Sequence, residues 1–348
     1  MHVGPKPDNL LELLALKAGA VPRPVMDTLL ALGLARTVMA GTRLGILEAL
    51  RDGPRTAAEV AARCETDPRA TEKLLGALVG CDYVRHRGGR FSLAPEARRW
   101  LVEGGRSSLR DMVLGMEQVW DWLEHYETFV RTGEPLDVHG TTDPDGWATY
   151  QRSMRSLAGL IAPEVARRTP VPRGATSLLD VGGSHGYLSV ALCRRHPRLS
   201  AVVLDLPEAV EHAAPLLARE GLGHRVRHRA DDARTADLGE AEHDVILVSS
   251  LVHHFTEAEN RDLCRRAARA LKPGGVLVLQ EVIRPAEPGE GGQAGALGDL
   301  YFAALSASGT WSFDEMAAWQ RDAGLTPRRP LRLLTGPGVG QQSAIRPR

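Results

Sequence analysis

From residue 175 onward the sequence alternates short apolar runs with amphipathic stretches, and this rhythm restricts the fold more than any other feature. TSLLDV is followed by HGYLSVALCRRHP, LSAVVLDLP by EAVEHAAPLLAREGL, then come RVRHRADD and HDVILVSS, TEAENRDLCRRAARALKPGG, and finally VLVLQEVI. The short runs, rich in Val and Leu, read as strands, and the longer segments carry apolar residues at helical spacing. Strand and helix in alternation predict a parallel, doubly wound α/β sheet. Ligands bind such sheets beyond the carboxyl ends of the strands.

Upstream of about residue 172 helical periodicity dominates. LLALGLARTVMAGTRLGILEAL, TAAEVAARC and PRATEKLLGALVG precede two strand-like pieces, DYVRH and RFSLA, around Gly88-Gly89, a natural hairpin turn. Helix, helix, helix, hairpin is the order of a winged helix, which serves either to bind DNA or to form dimers. Lys plus Arg and Asp plus Glu number 43 each, and the candidate recognition helix offers only Arg69 and Lys73, so a dimer-forming module is favoured over a DNA-binding regulator. Further helix is expected from about Ser107 to Val130, then a loop, TGEPLDVHGTTDPDGW, and a helix, TYQRSMRSLAGLIAPEVARR, that runs into PVPRG. The expected division is an N-terminal domain over 1–106, a helical segment over 107–172 and a ligand-binding domain over 173–348.

The four cysteines, Cys64, Cys81, Cys193 and Cys264, form no CxxC pair or ligand-spaced set, so neither a metal site nor a disulfide framework is expected. The leading LLELLALKAGA carries Glu12 and Lys17 and reads as an amphipathic helix rather than a signal peptide. No run approaches the roughly 18 uninterrupted apolar residues of a membrane span. A cytoplasmic protein is expected.

Chemistry concentrates at the strand ends. In LLDVGGSHGYLSV, Gly182, Gly183 and Gly186 lie between strand and helix, where a missing Cβ admits a ligand close to the backbone. Dinucleotide enzymes use such turns too, but their fingerprint is G-x-G-x-x-G. Here Asp180 stands just before the turn, where it would repel a pyrophosphate and attract an ammonium. The second strand ends in Asp205, followed by Leu206, suited to ribose hydroxyls. The third ends in Asp231 and Asp232, able to accept from an adenine amine. A ligand with a cationic amine, a ribose and an adenine is S-adenosylmethionine. Ser249 and Ser250, at the fourth strand end, complete its expected site.

In their order, DVGGSHG, LDLP, RADD, VSSLVHHF and ALKPGGVLVLQEVI resemble the S-adenosylmethionine-dependent small-molecule O-methyltransferases of plant phenolic and bacterial polyketide metabolism. Residues 30–105 resemble that family's winged-helix dimerisation domain. Ser184 stands where the family turn usually has a third glycine, and TWSFDEM where it often has an Arg-Thr pair. The resemblance implies a class I methyltransferase fold, a homodimer with no nucleic-acid or membrane partner, and metal-independent methylation of an aromatic or polyketide-like hydroxyl. C- or N-methylation, or a relative that uses the cofactor without methyl transfer, is the alternative.

The adjacent histidines of LVHHF then acquire meaning. Two neighbouring residues after a strand cannot share one environment. In the expected strand order the fourth and fifth strands are neighbours, so His253 would face Glu281. The resemblance implies the same pair, a histidine base that takes the acceptor proton and an acid that orients it. Alternatively, His253 is a loop residue and Glu281 an exposed strand-end acid. For the acceptor pocket the resemblance raises Met116, Trp120, Tyr150, Met154, His254, Asp299 and Phe302 to candidates, with Tyr301 beside them. Without it, apolar and aromatic residues at helical spacing read as core. The glycine-rich segment 284–298 is either a cover for the acceptor or a connector.

Overall fold

A computed structural model describes residues 4–104, 107–140, 142–306 and 308–348. The chain divides into two compact units, Met1–Glu117 and Gln118–Arg348, and the division falls inside the helix Arg110–Leu123. The boundary expected at residue 106 lies outside the described residues.

In the first unit, helices Ala31–Arg43, Ile46–Ala49, Ala57–Cys64 and Pro68–Gly80 lead to a hairpin of β1 (Val84–Arg87) and β2 (Arg90–Leu93). Local chemistry sets these boundaries. Thr56 and Glu59 form a reciprocal cap at one helix start, and Asp67 followed by Pro68 starts the next. Gly88 and Gly89 turn the hairpin at φ 58° and 72°, a conformation that excludes most other residues. Ile46, Leu47, Leu50, Val60, Leu75, Leu78, Val84 and Phe91 make the core. Residues 23–43 form continuous helix, in length and composition enough to cross a membrane, although Asp27 and Arg36 interrupt its apolar run. Leu29, Leu30, Leu32 and Leu34 along it are exposed.

The second unit is built on one eight-stranded sheet. Its strands are β3 (Ser177–Val181), β4 (Ser200–Asp205), β5 (Val226–Ala230), β6 (His243–Ser249), β7 (Leu271–Val282), β8 (Thr326–Pro327), β9 (Leu331–Arg332) and β10 (Val339–Ile345). The order is β5-β4-β3-β6-β7-β10-β8, with β9 also pairing β10. The expected strands β3 to β7 pair in parallel, but β10 runs antiparallel to β7, β8 and β9, so the sheet is mixed where an all-parallel one was expected. The helix expected over residues 107–130 is likewise broken into Arg110–Leu123 and Tyr126–Thr132.

Both faces of the sheet are buried. Leu179, Val181, Ile246, Val248, Leu277 and Leu279 face helices Glu257–Ala270 and Phe313–Asp322. The alternate residues Leu178, Val203, Val245, Leu247, Val276 and Val278 face helices Pro144–Arg168 and Tyr187–Arg195. This double burial explains why the strands read as unbroken apolar runs. Each buried Val or Leu contributes about 1.5–3 kcal/mol. The connections reverse direction between β3 and β6, and their carboxyl ends are where the crevice forms.

Candidate active site

The glycine-rich turn leaves β3 with Gly182 at φ 69° and enters the next helix with Gly186 at φ 70°. Space as well as conformation demands glycine here. A Cβ on Gly182 would stand 2.8 Å from Leu251, and one on Gly183 would stand 2.6 Å from the Asp180 carboxyl carbon. Ser184 also adopts a left-handed φ of 53°, which a glycine would adopt at less cost. Its backbone N–H donates to Asp205 Oδ2 at 2.6 Å, and its hydroxyl donates to Gln151 on the helix Pro144–Arg168. His185, buried beside it, is bonded to the Met154 carbonyl and accepts from Tyr187 N at 3.1 Å, and burial holds its imidazole down to about 3.

Asp180 is buried. Ser189 Oγ donates to its Oδ2 at 2.7 Å, while Oδ1 has no partner. Burial pushes this carboxyl up to about 7, with the charge of Asp205 adding to the rise. An orphaned carboxylate oxygen is costly, and a cationic group would satisfy it. Asp205 accepts from Ser184 N and from Leu206 N, and burial raises its carboxyl as well.

Asp232 is paired with Arg234, which donates to both its oxygens at 2.8–3.1 Å. Asp231 accepts from Asp232 N and lies 3.5 Å from Arg229. It also lines a cavity of about 610 Å³ with Val202, His228 and His243, and the His228 ring bonds the Ser184 carbonyl of the glycine-rich turn at 2.8 Å. At the end of β6, Ser249 Oγ accepts from Gln280 at 2.8 Å, and Ser250 at φ 53° donates its N–H to the Gln280 carbonyl.

The chain then makes one 3-10 turn, Val252–His254. Buried side chains hold it from two sides. Asn260 donates to the carbonyls of Val252 and Phe255 at 2.9 and 3.2 Å, and Trp311 Nε1 donates to Val252 at 3.0 Å. The turn sends its two histidines to different places. His253 is buried with Nδ1 3.0 Å from Oε1 of Glu281, which is fully buried near the end of β7. The exposed reading of both residues is therefore excluded. The contact is close but off the line of a hydrogen bond, so His253 Nδ1 has no hydrogen-bond partner, a looseness common where catalytic contacts tighten only around a reactant. Glu281 Oε1 accepts instead from Val282 N at 3.0 Å, and its Oε2 has no partner.

Phe302 packs 4.6 Å from the His253 ring. His254 lies 4.0 Å from His253 and 4.5 Å from His139. His139 stacks on Trp147 at 5.4 Å and meets Tyr150 edge-on at 5.6 Å. Of the residues expected in the acceptor pocket, Phe302 and His254 contact the His253 ring, and Tyr150 reaches it only through His139 and His254. Tyr301 meets Phe302 edge-on at 5.3 Å and packs against Val138 and Leu305, and Asp299 accepts from the Thr310 hydroxyl. Met154 reaches the glycine turn through its backbone. Trp120 is partly buried on the second unit, and Met116 belongs to the first unit. His139 escaped sequence reading because a Pro- and Gly-rich loop has no period that orients its side chains, and Trp147 because the helix expected from Thr149 already begins at Pro144.

A family model for an O-methyltransferase domain matches residues 110–324, and one for an O-methyltransferase dimerisation domain matches residues 26–103. The chain is 29% identical over 336 residues to the 3-hydroxy-5-methyl-1-naphthoate 3-O-methyltransferase of Streptomyces sahachiroi, covering 91% of this chain and 93% of the relative. It is 28% identical over 275 residues to the N,N-dimethyltransferase OxyT of Streptomyces rimosus, covering 76% and 79% of the two. Human N-acetylserotonin methyltransferase in complex with SAM shares the fold at a TM-score of 0.80 and 18% identity, over 99% of this chain and 100% of that one.

Proposed function

Because the chain belongs to the O-methyltransferase family, whose domain model spans residues 110–324, we propose that it methylates a phenolic or polyketide-type hydroxyl in natural-product metabolism, with S-adenosylmethionine as donor. The observation that carries the reading is the buried His253–Glu281 pair beside a glycine-rich turn whose neighbouring acid, Asp180, has an unpartnered oxygen. The Streptomyces relative that acts on a hydroxynaphthoate supports the acceptor class.

The residues of the turn suit the donor. Asp180 would hold its ammonium, Asp205 with the Leu206 backbone its ribose, and Asp231 its adenine, with Gly182, Gly183 and Gly186 admitting it close to the chain. When bound, the sulfonium supplies an electrophilic methyl group. His253 takes the acceptor's proton at Nε2, the nitrogen away from Glu281, as the oxygen becomes nucleophilic. Glu281 fixes the ring through Nδ1 and stabilises the imidazolium that forms. Alignment of the acceptor oxygen by the surrounding rings supplies on the order of 7–11 kcal/mol. No metal enters this scheme.

The match of residues 26–103 to a dimerisation domain, and the exposed leucines on the helical stretch 23–43, support a homodimer. A soluble cytoplasmic enzyme fits this reading. Incubation with isotopically labelled S-adenosylmethionine and a panel of phenolic acceptors, with product mass and NMR position, tests it. A methyl group on oxygen is expected. A methyl group on nitrogen, the alternative that the OxyT similarity supports, would replace the hydroxyl acceptor with an amine.

A further inference from the structure

The site contains more imidazole than base catalysis requires. His253, His254 and His139 form a row with ring centres 4.0 and 4.5 Å apart, and only His253 has an acid beside it. Among the described residues no hydrogen bond reaches the ring nitrogens of His254 or His139, although both rings are partly buried. Their packing partners are rings: Trp147 and Tyr150 on one flank, His253 and then Phe302 on the other.

From this juxtaposition we infer that His254 and His139 bind a second oxygen of the acceptor, carried on the carbon next to the one whose oxygen faces His253. The acceptor class is then a ring with two neighbouring uncharged oxygens, two hydroxyls or a hydroxyl beside a carbonyl. The inference rests on the methyl-transfer reading above.

Charge decides between an uncharged oxygen and a carboxylate. Burial lowers the affinity of both imidazoles for protons, His254 well below the ordinary range, and the charges acting on them are those of His253, of His139 on His254, and of Asp137 on His139. No arginine or lysine is among them. A neutral imidazole offers one N–H donor and one lone pair, which matches a hydroxyl or a carbonyl. A carboxylate would find no fixed cation here.

The test compares matched acceptors, one with a single hydroxyl and one with a vicinal pair, in the full-length protein and in His254→Phe, His139→Phe and the double variant. Wild type is expected to favour the vicinal pair in kcat/KM by on the order of 10- to 100-fold. In the phenylalanine variants the two efficiencies converge, with the loss in KM rather than kcat, and His254→Gln restores part of the preference. Calorimetric binding of S-adenosylmethionine establishes that each variant is folded. Equal efficiencies in wild type, or a preference that survives the double variant, would overturn the inference. Wild type that binds the donor but methylates neither acceptor would overturn the underlying function, and this inference with it.

Discussion

Asn260, fully buried on the helix Glu257–Ala270, donates its side-chain amide to the Val252 carbonyl at 2.9 Å, next to His253 in the chain. The turn that aims the proposed base therefore depends on a residue that touches no reactant. Asn260→Leu leaves the Phe255 carbonyl without this donor and should lower stability by about 1–3 kcal/mol. Turnover should fall further than stability explains, by about 10- to 100-fold. Steady-state kinetics beside denaturant titration checks this, and unchanged kcat would detach the turn from catalysis.

His253→Ala should reduce kcat by on the order of 10²–10⁴ while S-adenosylmethionine affinity stays within a few-fold of wild type. Glu281→Gln should act in the same direction with a smaller loss, because the ring remains and only its orienting charge is gone. Wild-type turnover in His253→Ala would move the base elsewhere.

Burial raises the Asp180 carboxyl to about 7. Only the ionised carboxylate attracts an ammonium, so donor affinity should climb as pH rises through about 7 and level off above it. Binding near that pH should also release protons, visible as a dependence of calorimetric heat on buffer ionisation. The sign for stability is opposite: the folded state holds a proton that the unfolded chain releases, so this group's stabilisation is present at low pH and lost as pH rises toward 7. Asp180→Asn should flatten both profiles; an affinity independent of pH in wild type would remove Asp180 from the ammonium site.

Glu164, buried on the helix Pro144–Arg168, accepts from Leu334 N and Thr335 N at 2.8–3.0 Å and pairs with Arg168 at 2.6 Å. Burial works to raise its carboxyl, but these donors prevail and lower it to about 2. Its stabilisation is therefore full above the unfolded value near 4.5 and lost as pH falls toward 2. Glu164→Leu should cost about 2–4 kcal/mol at neutral pH through stranded backbone donors. A urea midpoint that does not move would contradict this.

The parallel core was legible because strands buried on both faces must be apolar throughout, as VILVSS and VLVLQEVI are. The His253–Glu281 contact was legible for a related reason: adjacent parallel strands bring their carboxyl ends together. β8, β9 and β10 were not, since two are only two residues long and the third, VGQQSAI, buries Gln341 and Gln342 in a polar network that resembles surface. The Asp232–Arg234 pairing was hidden because a sequence does not reveal that Arg234 folds back two residues. His139, on the loop before Pro144, was hidden for want of any period, although a histidine close ahead of Trp147 and Tyr150 was a usable signal.

Leu251 sits against the glycine turn so tightly that Gly182 has no room for a methyl group, and the same leucine leads directly into the turn that bears His253. A donor held at the proposed site would bear on Leu251, and through it on the turn that carries the proposed base, His253. Loading should follow a compulsory sequence, donor ahead of acceptor, and random-order inhibition by the demethylated nucleoside would show the two loops to be mechanically independent.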